Sequence, residues 1–175
     1  MHQVHHGPQR RVPEVFLGGT CGESTWRHKI AIPALTAAGV SYYNPQCGPG
    51  EWTPELIPIE AAAKDGASCQ LFVITGETRG IASMIEAAEL LARGVSIVLC
   101  LEPYTANEPD NQDINRGRKY LLEVASRHGC AVHNSVAGAT SEVIQRIRAL
   151  PFALEPLEPT PMVRTESIPR LIEAS

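Results

Sequence analysis

No stretch of this chain approaches the ~20 consecutive apolar residues that a membrane-spanning helix needs, and its N-terminus lacks the apolar core of a secretory signal. Positive charge is not in excess. Fifteen basic against 19 acidic residues leave a formal net charge of −4, so nothing broad in the electrostatics draws the protein to nucleic acid or to an anionic membrane. Walker loops, G-x-G-x-x-G, C-x-x-C pairs and N-x-[ST] sequons are all missing. The five cysteines, Cys21, Cys47, Cys69, Cys100 and Cys130, are odd in number and widely spaced. That suits free thiols in a reducing compartment better than a disulfide framework. Zinc is not expected either: His128, Cys130 and His133 straddle a helix end and a strand, which would scatter them. These absences lead us to expect a soluble cytoplasmic protein with no nucleic-acid partner and no membrane partner.

What is present reads as one domain. A length of 175 residues matches the usual domain size, and a hydrophobic share of 43% excludes wholesale disorder. Residues 1–13 read as a flexible arm. Val15-Phe16-Leu17 is a first strand, stopped by Gly18-Gly19. Ser24 is a candidate N-cap for a helix reaching Ala38, with an interruption at Pro33. Val40–Tyr43 is a second strand, closed by Asn44-Pro45, and a Gly/Pro-rich loop with Trp52 leads to a helix ending at Gly66. Leu71–Ile74 is apolar without alternation, as expected of a strand covered on both faces. A helix from Ile81 to about Arg93, a strand Val95–Leu99, a helix Ile114–His128, a strand Ala131–His133 and a helix Thr140–Ala149 complete the pattern. Residues 151–175 carry five prolines and read as a tail, with a short helix near the end.

Five strands alternating with helices predict βαβ units. The expected fold is α/β: a five-stranded parallel sheet in a flavodoxin- or Rossmann-like three-layer αβα sandwich spanning residues 14–150. Ligands bind such sheets beyond the carboxyl ends of the strands, where the strand order switches. Chemistry is therefore sought in loops 18–27, 44–54, 75–86 and 100–113.

Glycines in the first loop would let a ligand's polar group approach the backbone, and the helix start offers N–H groups to an anion. As plain structure they make a tight turn, with Trp26 in the core and Arg27 at the surface. Cys21 and Arg27 also spell C-x5-R between a strand and a helix, the skeleton of a cysteine-phosphatase loop; Glu23 inside that ring would repel a phosphate dianion. Asn44 and Gln46 suit sugar hydroxyls or base edges, and Trp52 offers a stacking face. Equally, Asn44-Pro45 makes a turn and Trp52 plugs the loop. Along the third helix, Ile81, Met84, Ile85, Ala88 and Ala92 form one apolar stripe, with Glu86, Glu89 and Arg93 on the far side. A solvated face is the plain reading of that side, and a carboxylate lining a pocket would look the same.

Taken in order, Val15–Thr20, Trp26-Arg27, Tyr43–Gln46, Trp52, Glu60, Lys64, Leu71–Ile74 and Ser83–Glu86 resemble the nucleoside 2-deoxyribosyltransferase superfamily, in particular its deoxyribosyltransferase-like branch. The resemblance covers roughly residues 14–100. It implies that Glu86 attacks the anomeric carbon of a deoxynucleoside, forming a sugar ester that a second base or water then collects. It further implies that Gly18, Gly19 and Thr20 border the sugar and that Arg27 meets a 5′-phosphate where one is present. Asn44 and Trp52 would face the base or sugar, Trp26 and Ser83 would join them in the binding set, and Glu60 would orient hydroxyls or assist the leaving base. A small-molecule nucleoside or nucleotide, no metal, no organic cofactor and a homo-oligomer are implied with it. Phe16 stands where well-studied transferases have a tyrosine, and Thr75 where they have an acidic residue. Two other readings stay open: a non-catalytic nucleotide or nucleotide-sugar binding protein on the same scaffold, and a cysteine phosphatase using Cys21 and Arg27.

Overall fold

The structure is a computed structural model that describes residues 12–106 and 111–150. Most of the expected arm and all of the proline-rich tail lie outside the described residues. Five strands, β1 Val15–Gly19, β2 Tyr42–Tyr43, β3 Cys69–Ile74, β4 Ile97–Leu101 and β5 Ala131–His133, form one sheet in the order 2-1-3-4-5. Every pairing is parallel. Between them run a π-helical turn Arg27–Ala31 leading into α1 Ile32–Ala37, then α2 Leu56–Gly66, α3 Ile81–Ala92 and α4 Asn111–Arg127; α5 Val136–Ala149 follows β5.

Strand alternation sorts the core into two halves. Leu71 and Val73 face the same side as Val15, Leu17, Val98 and Cys100, and pack there against Leu35, Val136 and Val143. Phe72 and Ile74 face the other side with Ile97 and Leu99, beneath Ala87, Leu90, Leu91 and Leu121. Helices α1 and α5 thus cover one face and α3 and α4 the other, giving the three-layer αβα sandwich. The central strand β3 is buried throughout, which explains its unbroken apolar run. Among the described residues no helix is long and apolar enough to cross a membrane.

Local differences from the sequence expectation have physical causes. Ser24 does not cap the first helix; its hydroxyl donates to the Thr20 carbonyl at 3.0 Å. The interruption at Pro33 takes the form of a π turn, in which the Ile32 N–H reaches back to the Arg27 carbonyl. Widening the turn accommodates a residue that has no N–H and whose ring crowds the carbonyl four positions back. Strand β4 starts later than expected because Gly94, at φ 75°, and Val95, bonded to the Leu90 carbonyl at 3.0 Å, still belong to the end of α3. Helix α5 starts earlier, at Val136, behind the N-cap Ser135, whose Oγ accepts the Gly138 N–H at 3.2 Å.

The largest correction concerns α3. The residues it buries are Ala87, Leu90 and Leu91, with Ser83 and Met84 half-buried. Ile81 and Ile85 stand 50% and 68% exposed. The helix is apolar around most of its circumference, so two overlapping stripes satisfied the periodicity. Small Ala87 lets the helix approach the sheet closely, and this rotation turns Glu86 toward α2.

Candidate functional site

Strand β1 has β2 on one side and β3 on the other, so the chain leaves neighbouring strand ends in opposite directions. That is the switch point of this topology. Gly18 and Gly19 sit on it. A Cβ at Gly18 would lie 2.5 Å from the Phe72 ring, and one at Gly19, whose φ is 103°, would lie 2.0 Å from the Val73 carbonyl oxygen. These glycines therefore serve close approach of β1 to β3, which the Thr20 N–H continues by bonding the Val73 carbonyl at 3.0 Å. Gly80 opens α3 at φ 64°, and a Cβ there would meet Ile74 at 2.7 Å and Thr20 at 3.3 Å. The loops after β1 and β3 thus touch.

Each of these loops is held by a buried arginine. Arg27 is wholly inaccessible. Its Nε and Nη2 donate to the Leu17 carbonyl at 3.2 and 3.1 Å, its Nη1 to Thr20 at 2.7 Å, and its Nη2 also to Gly19 at 3.3 Å. The buried Trp26 ring lies 4.3 Å from the guanidinium. Burial lowers its pKa, partly offset by Cys21, whose Sγ lies 3.6 Å from Nη2, and by the charge of Glu60. Arg118 of α4 serves the β3 loop likewise, donating to the carbonyls of Thr75 at 3.0 Å, of Thr78 and of Glu102. Backbone carbonyls thus take most of the donors of Arg27, and the arginine of the C-x5-R spacing is engaged within its own loop.

On the α2–α3 side of the sheet, Tyr43, Phe16 and Gln70 are paired in register across β2, β1 and β3. Phe16 and Tyr43 stack at 5.7 Å with a 12° interplanar angle. Over this row stands Lys64 of α2. Its carbonyl accepts the Gln70 Nε2 at 3.2 Å, and its ammonium lies 5.2 Å from the Phe16 ring centre. That ammonium bonds Glu86 Oε1 and lies 3.6 Å from Glu60 Oε1. Burial lowers the Lys64 pKa, but the hydrogen bond and charge of Glu86 and the charge of Glu60 more than offset it, so the group sits above the ordinary lysine value. Burial raises the Tyr43 phenol, and Glu60 and then Cys47 raise it further. Glu86 keeps 34% of its side chain open to solvent.

The structure therefore brings Glu86 and Glu60 together, one on each side of a shared lysine, with Gly18 on the same strand face as Phe16. It places Trp26 and Arg27 in the core and Ser83 half-buried in the first turn of α3. The Asn44 Oδ1 accepts the Gln46 N–H at 3.1 Å in a local turn, while the Gln46 amide ties this loop to the Gly22 and Ser24 carbonyls at 2.7 and 3.0 Å. Trp52 projects from that loop, 60% exposed. Sequence reasoning had given no role to Lys64, Tyr43 or Arg118. Lys64 had a signal, its i,i+4 spacing from Glu60; Arg118 had one too, a lone cation within the buried series Ile114, Leu121 and Ala125. Among the described residues no group of three or more His, Cys, Asp or Glu is placed to hold a metal ion.

Residues 12–104 match the family described as "Nucleoside 2-deoxyribosyltransferase like". None of the curated proteins matches the chain. Among solved structures, it is similar to a chain of the "activated Roq1 resistosome directly recognizing the pathogen effector XopQ (TIR domains)", at 20% identity and a TM-score of 0.43, over 78% of this chain and 97% of that one. The family match spans more than half of the sequence and takes in every strand and helix that builds the Glu60–Lys64–Glu86 cluster. On that match, the protein belongs to the nucleoside 2-deoxyribosyltransferase-like family.

Proposed function

We propose that the protein cleaves or exchanges the N-glycosidic bond of a nucleoside or nucleotide, with Glu86 as the nucleophile. Family membership supports deoxyribosyltransferase-like activity in kind. The residue assignment rests on one observation: Glu86, on the second turn of α3, is partly open to solvent and paired through Lys64 with a second carboxylate. In the first step a Glu86 oxygen bonds to C1′ as the C1′–N bond breaks, the electron pair leaving with the base, which takes up a proton. In the second step an acceptor base or water attacks C1′ and the Glu86 carboxylate departs.

Glu60 is suited to orient hydroxyls or to exchange a proton with the base. Tyr43 supplies the phenol that Phe16 lacks, beside Glu60 and on the same floor. Gly18, Gly19 and Thr20 would border the sugar, Ser83 and Asn44 would offer polar groups near it, and Trp52 would stack on the base. In this reading Arg27 and Trp26 act as buried supports of the β1 loop, and a 5′-phosphate would need another partner. The same reading expects a homo-oligomer, measurable by light scattering. The direct test is product analysis on a panel of deoxynucleosides and their monophosphates, looking for free or exchanged base; undiminished turnover by Glu86→Gln would end the assignment.

A binding-only protein is the second reading. Lys64 already occupying Glu86, and Thr75 at the end of β3, favour it. It predicts thermal stabilisation by a ligand, of ~2.7 kcal/mol at a hundredfold excess over Kd, with no product on long incubation.

A further inference from the structure

We infer that Lys64 is a positioning residue for Glu86: its ammonium, fixed above the Phe16 ring, holds one oxygen of the carboxylate and leaves the other for the sugar. The inference rests on Glu86 being the nucleophile. A carboxylate on a helix surface ordinarily swings among rotamers, and attack on an anomeric carbon requires one orientation held within a fraction of an ångström. Lys64 supplies that constraint because it is itself anchored at both ends. Its backbone carbonyl takes the amide of buried Gln70, and its ammonium lies over the ring of buried Phe16, which stacks with Tyr43. Three elements converge on one cation, since Phe16 comes from β1, Glu86 from α3, and Glu60 from the preceding turn of α2.

The pairing is also asymmetric. The Lys64 bond falls on Glu86 Oε1, and among the described residues Oε2 has no partner. Two carboxylates and one ammonium carry a net negative charge before reaction. Once Glu86 is an ester, Lys64 and Glu60 remain as a neutral pair, so the cation that held the nucleophile stays matched in the intermediate. Before reaction, Glu86 and then Glu60 more than offset the effect of burial and hold the Lys64 ammonium above an ordinary lysine. Among the described residues, the charge of Glu60 is also felt by Tyr43 of β2, by Arg27 and by Cys47.

The test compares Lys64→Met, Lys64→Arg and Glu86→Gln on the deoxynucleoside or monophosphate that the wild type turns over. A positioning role predicts that Lys64→Met lowers kcat on the order of a hundredfold, with KM little changed, and that Lys64→Arg recovers part of the loss. A rise in KM alone, or an Arg variant no better than the Met variant, overturns it. Full turnover by Glu86→Gln instead brings down the nucleophile reading, and a wild type inert on every substrate does the same. A measurement independent of turnover guards against disturbed packing of α2. Treating the wild type with a water-soluble carbodiimide should join the Lys64 amine to the Glu86 carboxyl as an amide, with loss of one water, read by peptide mass. Linkage of Lys64 to Glu60 alone, or no linkage, overturns the positioning role even where activity is present.

Discussion

Two cations flank the switch point, and their surroundings differ in kind. Arg27 is sealed in the core and its donors go to backbone carbonyls of the β1 loop. Lys64 stands at the partly open edge of α2 and meets two carboxylates. A cation spent on carbonyl dipoles holds backbone in place, and removing it strands several buried acceptors. A cation shared between carboxylates at an accessible edge governs which way those carboxylates point. The family resemblance gave Arg27 a 5′-phosphate and Lys64 no role; the structure buries Arg27 and sets Lys64 between Glu86 and Glu60.

The sharpest break of this contrast is Glu86→Gln, which should reduce base release or exchange to background by product analysis while leaving the urea midpoint close to wild type. Arg27→Met should act the other way. Loss of its bonds to Leu17, Gly19 and Thr20 should cost about 3 kcal/mol or more, whereas Lys64→Met, at a partly open edge, should cost about 1 kcal/mol or less. Equal urea midpoints for these two variants would erase the distinction. Gly19→Ala, which would press a Cβ into the Val73 carbonyl at positive φ, should cost a few kcal/mol, more than Gly18→Ala, where an aromatic ring is the neighbour.

A smaller effect separates the cations by pH. The Lys64 pKa is raised on folding, so its contribution is complete below the ordinary value of 10.5 and fades as pH climbs through the higher folded value. Lys64→Met should abolish that part of the alkaline loss of stability, measured as urea midpoints across the alkaline range. Smallest of all is the order of thiol labelling: exposed Cys21 should react with iodoacetamide in the native protein, while buried Cys100, pushed up to about 12 by desolvation and then by Glu102, stays protected until unfolding.

Much of the fold was legible because its signals are local. The unbroken run at Leu71–Ile74 announced a doubly covered strand, and the alternation of strands with helices fixed a parallel sheet. The rotation of α3 was not legible, because Ile81-Ile85 and Ala87-Leu91 are both apolar and only the distance to the sheet separates them. The candidate site was half legible. Glu86 and Glu60 were reached through a family pattern, whereas Tyr43 and Arg118 matter only through partners distant in sequence, Phe16 for one and the Thr75 and Thr78 carbonyls for the other.

By itself, then, the order of residues determined the class of fold, since hydrophobic period and turn chemistry act over a few neighbours. Only the tertiary structure decided which charges are scaffold and which face one another, because burial and pairing depend on residues that the chain brings together across the sheet.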